Sequence, residues 1–364
     1  YYLRAKHKFY KRQNIDDIEI ARGLLKKAIE LDNNLIEAKS SLAGTYISTG
    51  DFDMAMEIYI PTLTQAEEQG DKRRIGYLLK DIGVIFLRKG DHDKALEYYD
   101  RSLAIAEELD NKAGIGMILN NTGNIYLQKG DHRALEYYER SLTISEELGD
   151  KSGMAVNINN IGNIYLQKGD YDQYLEYSRK SFKMHEEIDE KDGIANSLNN
   201  IGWAYINKGD YDNALDHNNR AFEIAEKIGD KSGMFLSTFC TGSVYWHKGD
   251  YDKTLDFLEK SLFIQKETGY TYLRLRTTTY LYLTYKHLGK DYNKNDIYEI
   301  INNTEDIDFE INIRLYELLE DKSYLETAYN QLQDKASAME KELKDKFLSY
   351  PIPKQIIQEW ERVS

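Results

Sequence analysis

Apolar residues recur at steps of three and four along almost the whole chain, which is the spacing of one face of an α-helix. The stretch 196–229, NSLNNIGWAYINKGDYDNALDHNNRAFEIAEKIG, shows the arrangement. Leu198, Ile201, Gly202 and Tyr205 form one helical stripe. Gly209 then stops that helix, because a helix end often closes on a left-handed residue that glycine adopts without steric cost. Asp210 follows as an N-cap, its carboxylate placed to accept backbone N–H groups of the next helix. Ala214, Ala221, Ile224 and Ile228 line that second helix, and Gly229-Asp230 repeats the stop-and-start signal. The pattern predicts a helix hairpin followed at once by another.

The stop signal recurs at Gly50-Asp51, Gly90-Asp91, Gly130-Asp131, Gly169-Asp170, Gly209-Asp210, Gly249-Asp250 and, more weakly, Gly289-Lys290-Asp291. By subtraction the glycines are 40, 40, 39, 40, 40 and 40 residues apart. A fixed period in this range predicts a solenoid built by stacking one small unit. Three columns repeat with it. One is small: Ala43, Gly83, Gly123, Gly162, Gly202, Gly242. One is aromatic: Tyr46, Phe86, Tyr126, Tyr165, Tyr205, Tyr245, Tyr285. The third, in the second helix, is Ala55, Ala95, Ala134, Tyr174, Ala214, Thr254. Small residues let two helices approach, and the ring fills the gap one turn on, so these columns are packing positions. The step of 39 places one missing residue at a hairpin turn, where GDHRALEYY stands against GDHDKALEYY, and a deletion there harms packing least. Tyr174 replaces a small residue while Ser178 replaces the tyrosine found at Tyr59, Tyr99 and Tyr138, which predicts compensated repacking. Pro61, inside a second helix, predicts a kink.

These columns resemble the tetratricopeptide repeat over roughly residues 1–300. The repeat here is 40 residues, against ~34 in the common form. With its GDK linkers at 70–72, 149–151 and 229–231 it is similar to the repeats of kinesin light chains, polarity adaptors and bacterial regulatory sensors. The extra residues lengthen each helix by about a turn. LDNN at 31–34 resembles the linker of the shorter form, so 1–50 mixes the two types. The resemblance implies an all-α fold, a right-handed α-solenoid of about seven to eight hairpin units with C-terminal capping helices. The expected units lie near 1–33, 34–70, 71–110, 111–149, 150–189, 190–229, 230–269 and 270–305, with a helical cap at 306–364. From about Thr271 the signals weaken, although Tyr285 and Gly289 keep their columns. Pro351 and Pro353 break the last helical stretch. The segment from LYELLEDKSYLETAYNQLQDK to IIQEWERV also resembles the C-terminal tail of bacterial multi-domain signalling proteins, which place a nucleotide cyclase or kinase domain ahead of such repeats. No cyclase or kinase motif lies in this chain, and its start at Tyr1, already in a helical pattern, predicts a fragment of a longer protein.

Composition narrows the partners. The formal net charge is -14 over 364 residues, which argues against nucleic acid and anionic membrane surfaces, whose binders concentrate positive charge. No apolar run approaches the ~18 residues a membrane helix needs, and no signal peptide is visible. The single cysteine, Cys240, allows no internal disulfide, which fits a cytoplasmic location. Neither a cofactor nor a metal site is expected. His92 and His132 lie in turns, His185 stands alone on a helix, and no pair has metal spacing. GDKSG at 149 and 229 lacks the order of a phosphate loop and is a helix linker. The Glu107-Glu108, Glu146-Glu147 and Glu186-Glu187 pairs recur once per repeat, as a solvated helix face does, so no catalytic dyad is expected.

One pattern is not explained by packing. In the resembled family the first helices line a concave, partner-binding surface. Its exposed positions here would be Asn120, Asn121 and Asn124, then Asn159, Asn160 and Asn163, then Asn196, Asn199 and Asn200. Amides carry both donors and acceptors, so such a row can hold the backbone of an extended or helical peptide. The alternatives are that a crowded polar face tolerates asparagine, or that the amides bond one another across repeats. Trp203 and Phe239 would give the groove an apolar end. The positions at which chaperone-type repeats grip a C-terminal carboxylate hold Tyr77, Met117, Val156, Asn196 and Leu236, which speaks against that clamp. The expectation is a non-enzymatic scaffold for a protein or peptide partner, with self-association through terminal helices as a further contact. The alternative is a regulatory region acting on an enzyme domain of the same polypeptide.

Overall fold

The chain is described by a computed structural model that covers residues 1–10, 15–268, 273–304 and 307–364. Among the described residues the elements are all helical. Helices α1 (Tyr2–Tyr10) and α2 (Ile15–Leu31) open the chain, followed by six longer hairpins. These are α3 (Ile36–Ser48) with α4 (Phe52–Glu68), α5 (Lys72–Arg88) with α6 (His92–Glu108), and α7 (Lys112–Gln128) with α8 (Arg133–Leu148). Then come α9 (Lys151–Lys168) with α10 (Tyr171–Glu187), α11 (Lys191–Lys208) with α12 (Tyr211–Ile228), and α13 (Lys231–Lys248) with α14 (Tyr251–Thr268). Helices α15 (Arg274–His287), α16 (Lys294–Asn302), α17 (Phe309–Leu319), α18 (Lys322–Ser337), α19 (Lys341–Ser349) and α20 (Pro351–Val363) complete it. This is an all-α solenoid of helix hairpins. Thr271 and the expected junctions at 269–270 and 305–306 lie outside the described residues.

The hairpin turns form as the Gly-Asp signal requires. Gly90 takes φ +76°. Its N–H reaches the Leu87 carbonyl at 3.1 Å, and the Asp91 N–H reaches Phe86 at 2.9 Å, closing the first helix with a Schellman-type pair. The Asp91 carboxylate then accepts the Lys94 N–H at 3.1 Å and starts the second helix. At the shortened turn Asp131 accepts from Arg133 instead, at 2.9 Å, and α8 begins one residue later in its repeat, so the deletion is absorbed where the helix starts. Between hairpins the left-handed position is held by Gly70, Gly149 and Gly229, but also by Asp110 and Asp189, at φ 47° and 54°. α4 runs as one helix through Pro61. Pro351 follows the extended Tyr350 and occupies the first turn of α20, so the prolines start a helix as well as end one.

The columns explain one another. A Cβ built on Gly83 or Gly123 would lie 2.5 or 2.6 Å from the ring of Tyr99 or Tyr138, so glycine is there because the ring lies on the backbone. At Gly162 the neighbours are Tyr177 and Tyr174, while Ser178 is buried and donates to the Tyr174 carbonyl at 2.8 Å. The aromatic column is stacked on the second helix of its own hairpin: Phe86 on Tyr98, Tyr126 on Tyr137 and Tyr165 on Tyr177, with centroids 5.1 to 5.3 Å apart.

The chain divides into two compact bodies, Tyr1–Ile161 with Glu267–Gly269 and Gly162–Lys266 with Tyr270–Ser364. The core of the first gathers Leu25, Leu42, Tyr59, Leu78 and Ile82. In the second, Phe239, Val244, Leu258, Tyr280 and Leu283 pack with Ile311 and Leu315 of α17. A neighbouring cluster joins Tyr171 to Ile313, Leu325, Leu332, Phe347 and Ile356, which folds α18 to α20 back over the hairpin turns of this body. A Cβ on Gly169 would meet Phe347 at 2.8 Å, and one on Gly209 would meet Pro351 at 2.9 Å. Asp172 pairs there with both Lys208 and Lys346.

Candidate functional site

The first helices carry the asparagine row, and local contacts divide it into two kinds of residue. In the first body, Asn120 donates from Nδ2 to Asn157 Oδ1 of the next repeat at 2.8 Å, and Asn157 donates to the Gly153 carbonyl at 2.9 Å. Asn124 accepts the Tyr138 hydroxyl at 2.7 Å. Asn120 and Asn124 are therefore tied to their own scaffold. Asn159 also has a partner. Asn121 and Asn160 are half-buried, and among the described residues their side chains have no hydrogen-bond partner. Beside them Tyr77, Met117 and Val156 stand one per repeat at 45, 52 and 44% exposure, large for apolar side chains of a folded face.

In the second body, Asn163 is half-buried and Asn196 exposed, both without a side-chain partner among the described residues, while Asn200 is half-buried and partnered. Two expected face residues are instead inside. Asn199 is 1% exposed and accepts the Ser237 hydroxyl at 2.9 Å, because the next first helix lies against it. Phe239 is fully buried, between the rings of Trp203 at 6.2 Å and Tyr280 at 6.3 Å. Trp203 is half-buried, with the Arg276 guanidinium 5.6 Å from its ring centre. Phe239 and Asn199 are thus structural residues and do not offer a contact surface.

Sequence reasoning missed what closes this end. Arg276 donates to Glu310 at 2.7 Å and also pairs with Asp308, while the Tyr280 hydroxyl donates to Glu310 at 3.0 Å. Counted from the aromatic column, Tyr280 occupies the position of Asn121, Asn160 and Asn200, and Arg276 that of Met117 and Val156. The signal available was Arg276 itself, the one basic residue in a column that otherwise holds Glu37, Tyr77, Met117, Val156, Asn196 and Leu236. Cys240 lies in the same column as Tyr280, and burial, then the charge of Glu310, pushes its thiol up to about 12. Burial, then the charge of Arg314, pushes His247 down to about 3, so its imidazole is neutral. His185 is not alone: its Nδ1 lies 2.8 Å from Glu190.

The other expectations about chemistry concern surfaces. The paired glutamates are exposed; Glu108 pairs with Lys72, and Glu147 with Lys112 at 2.8 Å, as a solvated face does. Asp150 and Asp230 of the GDKSG segments cap helices, accepting Gly153 and Gly233 N–H groups at 3.0 Å. Among the described residues no group of three or more His, Cys, Asp or Glu could hold a metal ion, and no helix is long and apolar enough to cross a membrane.

Known proteins give the arrangement its family. The tetratricopeptide repeat matches residues 34–108, 74–147, 114–173 and 153–227, together just over half the chain. No curated protein matches it. Among solved structures it is similar to a signal transduction ATPase with numerous domains from Pyrococcus horikoshii that carries a tetratricopeptide repeat sensor (18% identity, TM-score 0.56, 95% of this chain and 48% of that one). The chain thus spans about half the length of that ATPase. It is also similar to a Rap protein complexed with competence and sporulation factor (14%, TM-score 0.53, 90% and 96%) and to the apo form of RapI (16%, TM-score 0.51, 79% and 99%). At these identities the likeness is one of fold. The chain belongs to the tetratricopeptide repeat family.

Proposed function

We propose that the chain is a non-enzymatic interaction module that holds a peptide or helix of a partner protein on its first-helix face. The observation that carries this is the unpaired amides of Asn121 and Asn160 in the first body, flanked by exposed Tyr77, Met117 and Val156. A half-buried amide with no partner in the chain keeps its donors and acceptor open to a ligand, and a peptide backbone offers both a donor and an acceptor to match them. The apolar side chains beside it supply area to bury. Asn120, Asn124 and Asn159 hold that face in shape, and the second body has a face of its own in which Asn163, Asn196, Asn200 and Trp203 stand in the same columns. Family membership and the Rap complex with its factor support a partner of this kind. A buried single cysteine suits a cytoplasmic setting. The test selects peptides from a random display library on the wild-type chain, then measures them on Asn121→Ala with Asn160→Ala. Affinity should fall at least tenfold with the thermal unfolding curve unchanged; equal binding by the variant refutes the reading.

A second reading has one observation in its favour: the archaeal ATPase carries its repeats as a sensor in the same polypeptide as its enzyme. In that reading this chain regulates a catalytic domain to which it is covalently joined, and a full-length coding sequence that holds no catalytic domain refutes it. Self-association is supported by exposed Leu3, Ile20 and Leu31 on the first two helices, and light scattering tests it.

A further inference from the structure

The first-helix face of the first body reverses the charge of the chain. The formal net charge is -14, yet the charges this face leaves unpaired are bases. On α5 the outward stripe runs Arg73, Tyr77, Lys80 with Asp81, Val84 and Arg88, at steps of three and four. Arg73 and Arg88 are exposed and make no hydrogen bond or ion pair among the described residues. The charge of Arg88 reaches the buried Tyr99 hydroxyl, as that of Asp81 does, so the two lie on one side of the helix. Both acids of the face are neutralised where they stand. Asp81 accepts from Lys80 Nζ at 2.6 Å and from the Tyr59 hydroxyl at 3.2 Å. Glu37 of α3 accepts from Arg74 Nε at 3.1 Å and Nη2 at 2.8 Å. The same stripe on α7, and on α9 as far as Asn160, carries no charge.

Position gives the two arginines a use. They stand fifteen residues apart, about 22 Å along α5, so a segment that crosses the helix lies between them. Arg73 also rims a shallow notch between α5 and α7, with Tyr77, Lys80 and Met117 at its sides and Gly76 and Gly114 adding no side chain to fill it. A guanidinium presents a planar fork of donors that fits a carboxylate at two points. The amides decide the form of the segment. A helix spends its backbone donors and acceptors on itself and has none for Asn121 and Asn160, whereas an extended chain keeps them free. An extended chain also sends alternate side chains to opposite sides, here one toward each arginine.

We propose that the partner segment held on the first body is acidic and extended, with carboxylate side chains on either side where it crosses α5, for Arg73 and Arg88. An apolar side chain of the segment sets against Tyr77 and Met117, and its backbone is bonded by Asn121 and Asn160. Recognition lies in side chains along the segment, not in a terminal carboxylate. This rests on the reading of the first-helix face as a peptide surface, and it adds the charge and the backbone form of the ligand.

Peptides selected on the wild-type chain from a random display library, then synthesised with both ends capped, should be enriched in Asp and Glu. The chain as a whole repels acids, so their enrichment reports local pairing. Arg73→Glu with Arg88→Glu should weaken those peptides at least tenfold, and a selection repeated on that variant should return no acidic excess. Arg73→Gln with Arg88→Gln should give a smaller loss in the same direction, and it carries the test if the double reversal lowers the thermal unfolding midpoint. The proposal is overturned if the selected peptides hold no excess of acid, or if they bind both charge variants as tightly as wild type. Peptides of that kind that still lose binding in Asn121→Ala with Asn160→Ala leave the peptide surface standing and remove only its preference for acids. A selection that returns no peptide removes both.

Discussion

Replacing Gly123 with alanine should destabilise the first body, although the same change in an open helix position stabilises. Gly123 lies in the middle of α7, where alanine is favoured over glycine by about 1 kcal/mol. Against that, the new Cβ would lie 2.6 Å from Tyr138 Cε1, 2.8 Å from Cδ1 and 3.1 Å from Cζ. Ordinary contact begins at 3.4 Å, so the ring or the helix must give by 3.4 minus 2.6, about 0.8 Å. The ring has little freedom to do so, since Tyr138 is fully buried and its hydroxyl is held by Asn124 at 2.7 Å. Overpacking of this kind costs about 1–3 kcal/mol, so the net change is a loss of up to about 2 kcal/mol. Gly44 in α3 is the control, because a Cβ there meets nothing within 4 Å. Gly44→Ala should gain up to about 1 kcal/mol. Thermal unfolding followed by circular dichroism should separate the two variants by several degrees, about 2–4 °C for each kcal/mol between them, with Gly123→Ala the lower. A Gly123→Ala chain as stable as Gly44→Ala would show that the tyrosine ring is not what requires glycine in the small column.

Asp189 takes φ 54° at a linker position where other repeats have glycine, so Asp189→Gly should raise stability by about 0.5–1 kcal/mol, read as a higher urea midpoint. His247 is held neutral in the folded chain while the unfolded chain takes up its proton near pH 6.5, so stability is full above that pH and falls as the pH drops toward 3. Among the groups facing it are Arg314, Tyr211 and Tyr280. The urea midpoint should fall more between pH 7 and pH 4.5 in wild type than in His247→Gln; parallel pH profiles would remove His247 as the cause.

Contacts between neighbouring repeats are about one period apart, and a period is visible in a sequence. That is why Gly90 and Asp91 could be assigned a stop and a cap from spacing alone, and why the shortened turn at Asp131 could be located to one residue. The linker at Asp189 shows the limit of the same reasoning: the backbone is left-handed there as at Gly149, but the residue that marks it has changed. The asparagine row was legible as a face, yet its members could not be sorted. Asn120 and Asn121 are adjacent in sequence, and only Asn157 across the repeat decides that one is tied and the other unpaired.

The buried end of the face was illegible for a stronger reason. Asn199 is covered by its neighbour Ser237, within the period, but Phe239 packs in one cluster with Ile311 and Leu315 of α17, a helix whose left-handed stop is Glu320 where the earlier repeats have glycine. The pair Lys346 with Asp172 spans 174 residues, and nothing in either segment's spacing announces it. A solenoid's nearest-neighbour logic holds only while each unit resembles the last. Where it stops resembling, the chain folds back on the repeats through pairs of no fixed spacing, as Arg276 and Tyr280 hold Asp308 and Glu310 at the start of α17 and Asp172 holds Lys346 of α19.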